Sequence, residues 1–490
     1  MRRSIPFSAL LPITLAIAAL AASPPPSLTR RQLLAWVAGG MSDDHLVLWL
    51  HSRGVAFAPD DAYLETLRAA GANDAVVGAL QHASHPAGSR AGAAPADPVF
   101  DHLARAARAL HEADFDTAEQ ELGAAVKMEP EDPDLHYAAA GLFRQQEDLA
   151  TAASEYNEAI RLAPDFADAH QGLSYIFYQV GQGERAVPEA QAAVRLLPQD
   201  AEAHKFLGLA LEGAGDYDAA IREYQQALAL KPQFAAVYYD MGIAYYKKKN
   251  YEASIAAYQK AIGLDAQDWR PYYNMGIVYD AKGDAEQAIV AYQHAKQLAP
   301  KELKVRQNLG SIYCDNQRWA EAVREFRDLL ALEPGWNRAR PCLAWALHGA
   351  GDDEGAVAVL REALRYEPDD GKTHYMLGQL LVLKDRSEAE KEFRAAVRLL
   401  PDPAVARHQL ASVLLAQGKD DEAIAELRQL VAEKPGDAEG HYELGFDLWT
   451  KNQHAEALRE LATALRLDPG NQAYQEVYRS YSEQYSKEPH

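Results

Sequence analysis

Four histidines, His102, His136, His170 and His204, stand 34 residues apart. Imidazole is the commonest metal donor among side chains, so a regular row of histidines invites a metal-binding reading. The spacing argues against it. If each ring occupies the same place in successive helical units, the helices lie about 8–10 Å apart. Zinc needs all its donors at about 2 Å, so the row reads as packing and no metal or other cofactor is expected. The remaining search for chemistry is equally bare. HEADF at 111–115 lacks the second histidine of a zinc-protease helix, and there is no GxSxG, GxxxxGK[ST] or CxxC. Two cysteines are present, Cys314 and Cys342. Their register places them at different heights on neighbouring helices, a gap of roughly 9 Å of helix rise. A disulfide tolerates a Cα separation of about 7 Å, so two free, mostly buried thiols are expected. The chain is read as a non-enzyme.

The elements that carry these residues repeat. Pro130, Pro164, Pro198 and Pro232 lie 34 apart, Ala266 takes the next place, and Pro300, Pro334 and Pro368 resume the series. One 33-residue step leads to Pro401, Pro435 and Pro469. A small residue stands twelve places before each of these positions (Ala118, Ala152, Ala186, Ala220 and onward), and another usually stands five before. Eight before stands a large one, such as Tyr156, Tyr224, Tyr258, Tyr292 or Phe326. Small residues let two antiparallel helices approach, the large one fills the next interface, and Gly-Asp pairs such as Gly215-Asp216 turn the chain. Proline then ends the unit, because it cannot continue a helix. No such unit buries its apolar face alone, so neighbours must stack.

This pattern resembles the tetratricopeptide repeat, W-x2-L-G-x2-Y, then A-x3-F, then P. YYNMGIVY at 272–279, followed by Ala288, Tyr292, Ala295 and Pro300, matches nearly throughout, and YYDMGIAY at 238–245 and LGSIY at 309–313 match comparably. Eleven units begin at 99, 133, 167, 201, 235, 269, 303, 337, 371, 404 and 438; the first lacks the Leu-Gly pair and the ninth is one residue short between its helices. The resemblance implies an all-α fold, a right-handed superhelical solenoid whose first helices line a concave groove. It also implies that positions 2, 5, 6, 9, 12 and 13 of each unit face that groove. Those positions supply Tyr137, Tyr175, Tyr178, Tyr239, Tyr246, Tyr273, Trp345, Tyr375, Tyr442, Phe446 and Trp449. Position 6 carries Asp240, Asn274 and Asn308 in consecutive units. An Asn amide offers a donor and an acceptor side by side and can pair with the main chain of an extended peptide. The carboxylate clamp of chaperone-binding relatives is not reproduced. Asn274 and Lys304 fit two of its five places, while Tyr239, Ile243 and Asn308 stand where Lys, Asn and Arg are required. The candidate partner-binding residues are therefore Tyr239, Asp240, Tyr246, Tyr273, Asn274, Lys304, Asn308 and Trp345.

Residues 1–22 have a charged start at Arg2-Arg3, an apolar stretch from Leu10 to Leu20 and a small-x-small pattern at Ala19-Leu20-Ala21. They are read as a secretory signal, which makes the protein exported and periplasmic. An uncleaved anchor is the alternative, and membrane contact is expected only through this segment. Residues 28–82 form a small helical module of three short amphipathic helices, 83–97 a Pro/Gly/Ala-rich flexible linker, 98–471 the repeats, and 472–490 a C-terminal capping helix with Tyr474, Tyr478, Tyr481 and Tyr485 along one face. Sequence alone is compatible with a docked or a free module. The formal charge of −22 repels phosphate backbones, so nucleic acid is not an expected partner. The expected function is a scaffold of the cell envelope that binds an extended protein segment in its groove. The alternative is a glycan-binding component of polysaccharide export, with groove aromatics stacked on sugar rings.

Overall fold

The computed structural model describes residues 26–85 and 97–487. The signal reading at 1–22 and most of the linker reading at 83–97 therefore lie outside the described residues. Every regular element described is a helix, and the residues divide into two compact units, 1–248 and 249–490.

The first unit opens with α1 (Arg30–Ala38), α2 (Asp43–Arg53), α3 (Asp61–Ala69) and α4 (Asp74–His82). The sequence reading had three helices here. The fourth was missed because it carries no terminal glycine, although Asn73 caps it by accepting from the Val76 amide. Four helix pairs follow: α5 (Pro98–His111) with α6 (Phe115–Met128), α7 (Pro133–Gln145) with α8 (Leu149–Leu162), α9 (Ala167–Gln179) with α10 (Gly183–Leu196), and α11 (Ala201–Gly213) with α12 (Tyr217–Leu230). The unit closes with α13 (Ala235–Lys247).

The second unit starts with α14 (Tyr251–Leu264) and continues in pairs: α15 (Trp269–Lys282) and α16 (Ala285–Leu298), α17 (Leu303–Asp315) and α18 (Trp319–Leu332), α19 (Ala339–Gly349) and α20 (Asp353–Tyr366). Then come α21 (Gly371–Leu381) and α22 (Arg386–Leu399), α23 (Ala404–Ala416) and α24 (Asp420–Glu433), α25 (Ala438–Thr450) and α26 (His454–Leu467), and the final α27 (Gln472–Tyr485).

Three features of the sequence explain the pairs. The turn inside each pair needs one left-handed residue, and positive φ recurs at Ala113, Glu147, Gly181, Gly215, Lys249, Gly283, Gln317, Gly351, Gly418 and Asn452. The ninth repeat has no such residue among the described ones, and it is the unit that is one residue short. The small residues Ala118, Ala152, Ala186, Ala220, Ala288 and Ala322 are fully buried, as are Tyr156, Tyr224, Tyr292 and Phe326 beside them. Each aromatic also needs a glycine on the facing helix. A Cβ at Gly208, Gly276, Gly310 or Gly378 would come within 2.3–2.8 Å of the ring of Tyr224, Tyr292, Phe326 or Phe393.

The histidine row completes the repeat. Nδ1 of His102, His136, His170 and His204 lies 2.6–2.7 Å from Glu121, Glu155, Glu189 and Glu223, nineteen residues on, in the second helix of the same pair. Nε2 of the last three faces the carbonyls of Pro130, Pro164 and Pro198. These histidines clasp the two helices of a repeat together. Arg306, Arg340 and Arg407 take the same place in later repeats, paired with Glu325, Glu362 and Glu426.

Candidate functional site

In the first unit several of the helix positions assigned to the groove are already occupied. Helices α1 and α2 lie on them, held by contacts to four successive repeats. Arg31 pairs with Asp97 at the start of α5 and, at 2.6 Å, with Glu129. Trp36 Nε1 donates to Asp134 Oδ1 at 2.6 Å. His45 Nδ1 lies 2.5 Å from Asp168 Oδ1, and its Nε2 lies 2.9 Å from Asp200 Oδ2. Lys231, after α12, reaches Asp44 at 2.6 Å. The backbone comes closest where Gly39 meets Gly141: a Cβ on Gly141 would sit 2.6 Å from the Gly39 Cα.

The contacted positions are those expected to face a ligand: Asp134, Tyr137, Gly141 and Arg144 are places 2, 5, 9 and 12 of the second repeat. Tyr137 is consequently only 4% exposed, covered by Gly39, and does not serve as an open groove aromatic. Burial alone would lower the pKa of His45, but hydrogen bonds to Asp168 and Asp200 outweigh it and lift the ring to about 10. His45 is a buried cation between two carboxylates. Burial pushes Asp134 up to about 6 against the hydrogen bond from Trp36.

Tyr239, Asp240 and Tyr246 lie on α13, each half-buried. Glu212 on α11 is pushed up to about 7, first by burial and then by the charge of Asp240, while Tyr224 Oη donates to it at 3.1 Å. This end of the first unit is acidic and aromatic.

In the second unit the structure gathers Tyr273, Lys304 and Asn308 into one cluster. Asn308 Nδ2 donates to Tyr273 Oη at 3.1 Å. The Tyr273 ring packs edge-on against Trp269 at 5.8 Å, and the Lys304 ammonium lies over both rings, 4.9 Å from Trp269 and 5.7 Å from Tyr273. Asn274 is half-buried on α15, one repeat earlier than Asn308 on α17. The same Nδ2 also donates to Tyr292 Oη at 3.5 Å, so the Asn308 amide nitrogen bonds two neighbouring tyrosines.

Trp345 on α19 is different. It is 54% exposed and forms one wall of a cavity of about 500 Å³ with His348, Met376, Leu380, Leu383 and Lys384. Leu383 is 92% exposed at its rim. A second cavity of about 290 Å³ shares Trp345 and Met376 and reaches Cys314 and Cys342. Both thiols are free. Burial, with a smaller contribution from Cys342, pushes Cys314 up to about 11, so neither the pair nor its setting favours a reactive thiolate.

Near the C-terminus, α27 takes up other aromatics assigned to the groove. Tyr474 stacks on Tyr442 at 4.6 Å, and Tyr481 stacks on Trp449 at 4.2 Å. These rings cover the last repeat. Among the described residues, no group of His, Cys, Asp and Glu has an arrangement that would hold a metal ion, and no helix is long and apolar enough to cross a membrane.

Stacked pairs of short helices, each pair tied internally, define a helical-repeat protein. Tetratricopeptide-repeat profiles match residues 103–165, 213–249, 244–283, 270–302, 308–372, 343–404 and 383–442, together more than half of the sequence. The chain belongs to the tetratricopeptide repeat family. Among solved structures it is similar to yeast Tom70 (13% identity, 79% of this chain and 96% of that one, TM-score 0.36). It is also similar to MamA from Desulfovibrio magneticus RS-1 (27%, 35% and 96%, 0.32) and to YrrB, described as a TPR protein with an unusual peptide-binding site (22%, 37% and 93%, 0.33). A comparison with curated proteins gives no match.

Proposed function

We propose that this chain is a non-catalytic scaffold, exported to the cell envelope, that holds an extended segment of a partner protein against the open helix faces of its second unit. The observation that carries the reading is the apolar opening around Trp345. A half-exposed tryptophan beside Met376, Leu380 and an exposed Leu383 leaves apolar surface in water at a cost of about 25 cal/mol per Å². Tryptophan in a pocket of this kind is the residue type that most often anchors an interface. Lys304, Tyr273 and Asn274 supply polar contacts along the same unit, and Asn308 adds its amide oxygen. The export reading rests on Arg2-Arg3, the apolar stretch and the Ala-x-Ala pattern that follow in the sequence.

The test places a photoreactive phenylalanine at position 345 and irradiates the protein in an envelope extract. The expected product is a protein adduct mapping to one extended segment. A synthetic copy of that segment should bind wild type and lose at least about tenfold affinity to Trp345→Ala, the loss of a moderate hot spot. Adducts scattered over many unrelated peptides would refute the reading, and recovery of polysaccharide alone would replace it with the glycan alternative.

A further inference from the structure

A third cavity of the same unit carries a different chemistry. Between α23 and α25 a space of about 270 Å³ is lined by Ser412, Leu415, Tyr442, Glu443, Phe446 and Asp447. It offers room for about nine water volumes. One wall is aromatic: Phe446 is 42% exposed, with its ring 6.4 Å from that of Tyr442. The other wall is acidic. Asp447 is only 6% exposed, and its Oδ2 has no hydrogen-bond partner. A buried carboxylate oxygen left unpaired costs free energy that a cation would relieve. The neighbouring cations are already engaged. Lys451 pairs with Asp420 and Asp421, and His408 is held between Glu443 at 2.8 Å and Asp437 at 3.0 Å.

We propose that this cavity is a subsite for a basic side chain of the partner segment, an arginine above all, with its guanidinium stacked on Phe446 and paired with Asp447 and Glu443. The proposal rests on the reading of the second unit as a peptide-binding surface and adds the chemical identity of one recognised side chain. Arginine fits better than lysine because its planar, weakly hydrated head stacks on aromatic rings and pairs with carboxylates through a fork of donors. The subsite is also pH-sensitive. Glu443 and Tyr442 on α25, Asp420 on α24 and Tyr481 on α27 face Asp447, and burial, then Glu443 and Asp420, push its carboxyl up to about 6. A bound cation needs the ionised form, so affinity is full above pH 7 and falls as the carboxyl protonates. At pH 5 about a tenth of it remains ionised, and the dissociation constant rises about tenfold.

The experiment uses the full chain with 4-fluorophenylalanine at position 446 and follows its fluorine resonance while a capped Gly-Arg-Gly peptide is added. The expected result is a saturable shift at pH 7.5, about tenfold weaker at pH 5, weaker for the lysine peptide and absent for the citrulline peptide, which keeps the shape and loses the charge. Asp447→Asn should abolish the shift while leaving the far-ultraviolet dichroism unchanged. Equal binding of the citrulline peptide, or undiminished binding by Asp447→Asn, would overturn the proposal. Trp345→Ala should leave this shift intact. If the arginine peptide fails while the photo-crosslinked segment still binds at Trp345, the subsite alone is wrong. If the peptide shifts the resonance and no segment is captured, the subsite stands and the broader reading falls.

Discussion

Raising the pH from 6.5 to 9 should loosen the N-terminal module from the repeats, and His45 is the cause. Docked, its ring lies between Asp168 and Asp200 and titrates at about 10. Undocked, it is solvated and titrates near 6.5. A group whose pKa is raised on docking stabilises the docked state fully below the undocked value, and that contribution is lost as pH rises through the docked value. At about 1.4 kcal/mol per pH unit, the gap between the two values limits the contribution to roughly 5 kcal/mol, of which about 3 is gone by pH 9. His45→Ala removes the cation outright and leaves two carboxylates facing each other, a loss of about 3–5 kcal/mol for a broken buried pair. Hydrogen exchange of the α1 and α2 amides, corrected for the intrinsic pH dependence of exchange, measures this opening directly. Protection in wild type should fall about a hundredfold between pH 6.5 and 9, and in His45→Gln it should be low at both. Equal protection at both pH values in wild type would refute the buried-cation argument.

Three further outcomes follow from the packing. Gly141→Ala places a methyl 2.6 Å from backbone atoms of Gly39, and should weaken module docking by about 1–3 kcal/mol while helix content by circular dichroism stays unchanged. Glu147 holds φ at 61°, so Glu147→Gly should raise the urea midpoint by relieving up to about 1 kcal/mol of left-handed strain. Tyr481→Ala strips Trp449 of a ring stacked at 4.2 Å. It should destabilise the last repeat by about 1–3 kcal/mol, read as early loss of protection in α25 and α26 on warming.

The repeat was legible because one physical demand recurs at a fixed interval. Each pair needs a close approach, an aromatic filler and a left-handed turn, so Ala152, Tyr156 and the residue at the turn announce themselves again 34 residues on. Even the short ninth repeat reads correctly, since its missing residue is the turn residue. The histidine row was read as packing, but its partners were not, although each Glu stands nineteen places after its His in plain view. The docked module was not legible. Trp36 and Asp134 are 98 residues apart, and nothing local to either signals the other. One trace existed: position 9 of the second repeat is Gly141, where other units place Tyr175, Ile277, Trp345 or Phe446. A glycine among large side chains marks a close backbone approach. The candidate-site residues were legible as a surface and not as individuals, because Asn308 could be seen to bond Tyr273 only when both helices were in place.

The contacts of α1 and α2 also bear on how the first unit folds and unfolds. A repeat array is nearly one-dimensional: each unit touches its neighbours, stability adds up pair by pair, and the ends can fray while the middle holds. Arg31, Trp36, His45 and Asp44 break that rule by tying four successive repeats to one small module. Such a cross-strut makes the four repeats rise and fall together. It also replaces neighbour contacts with pairings of high sequence separation, which form slowly. The first unit should therefore lose its structure in one cooperative step. Repeats of the second unit, joined to their neighbours and closed by α27, should come apart one at a time.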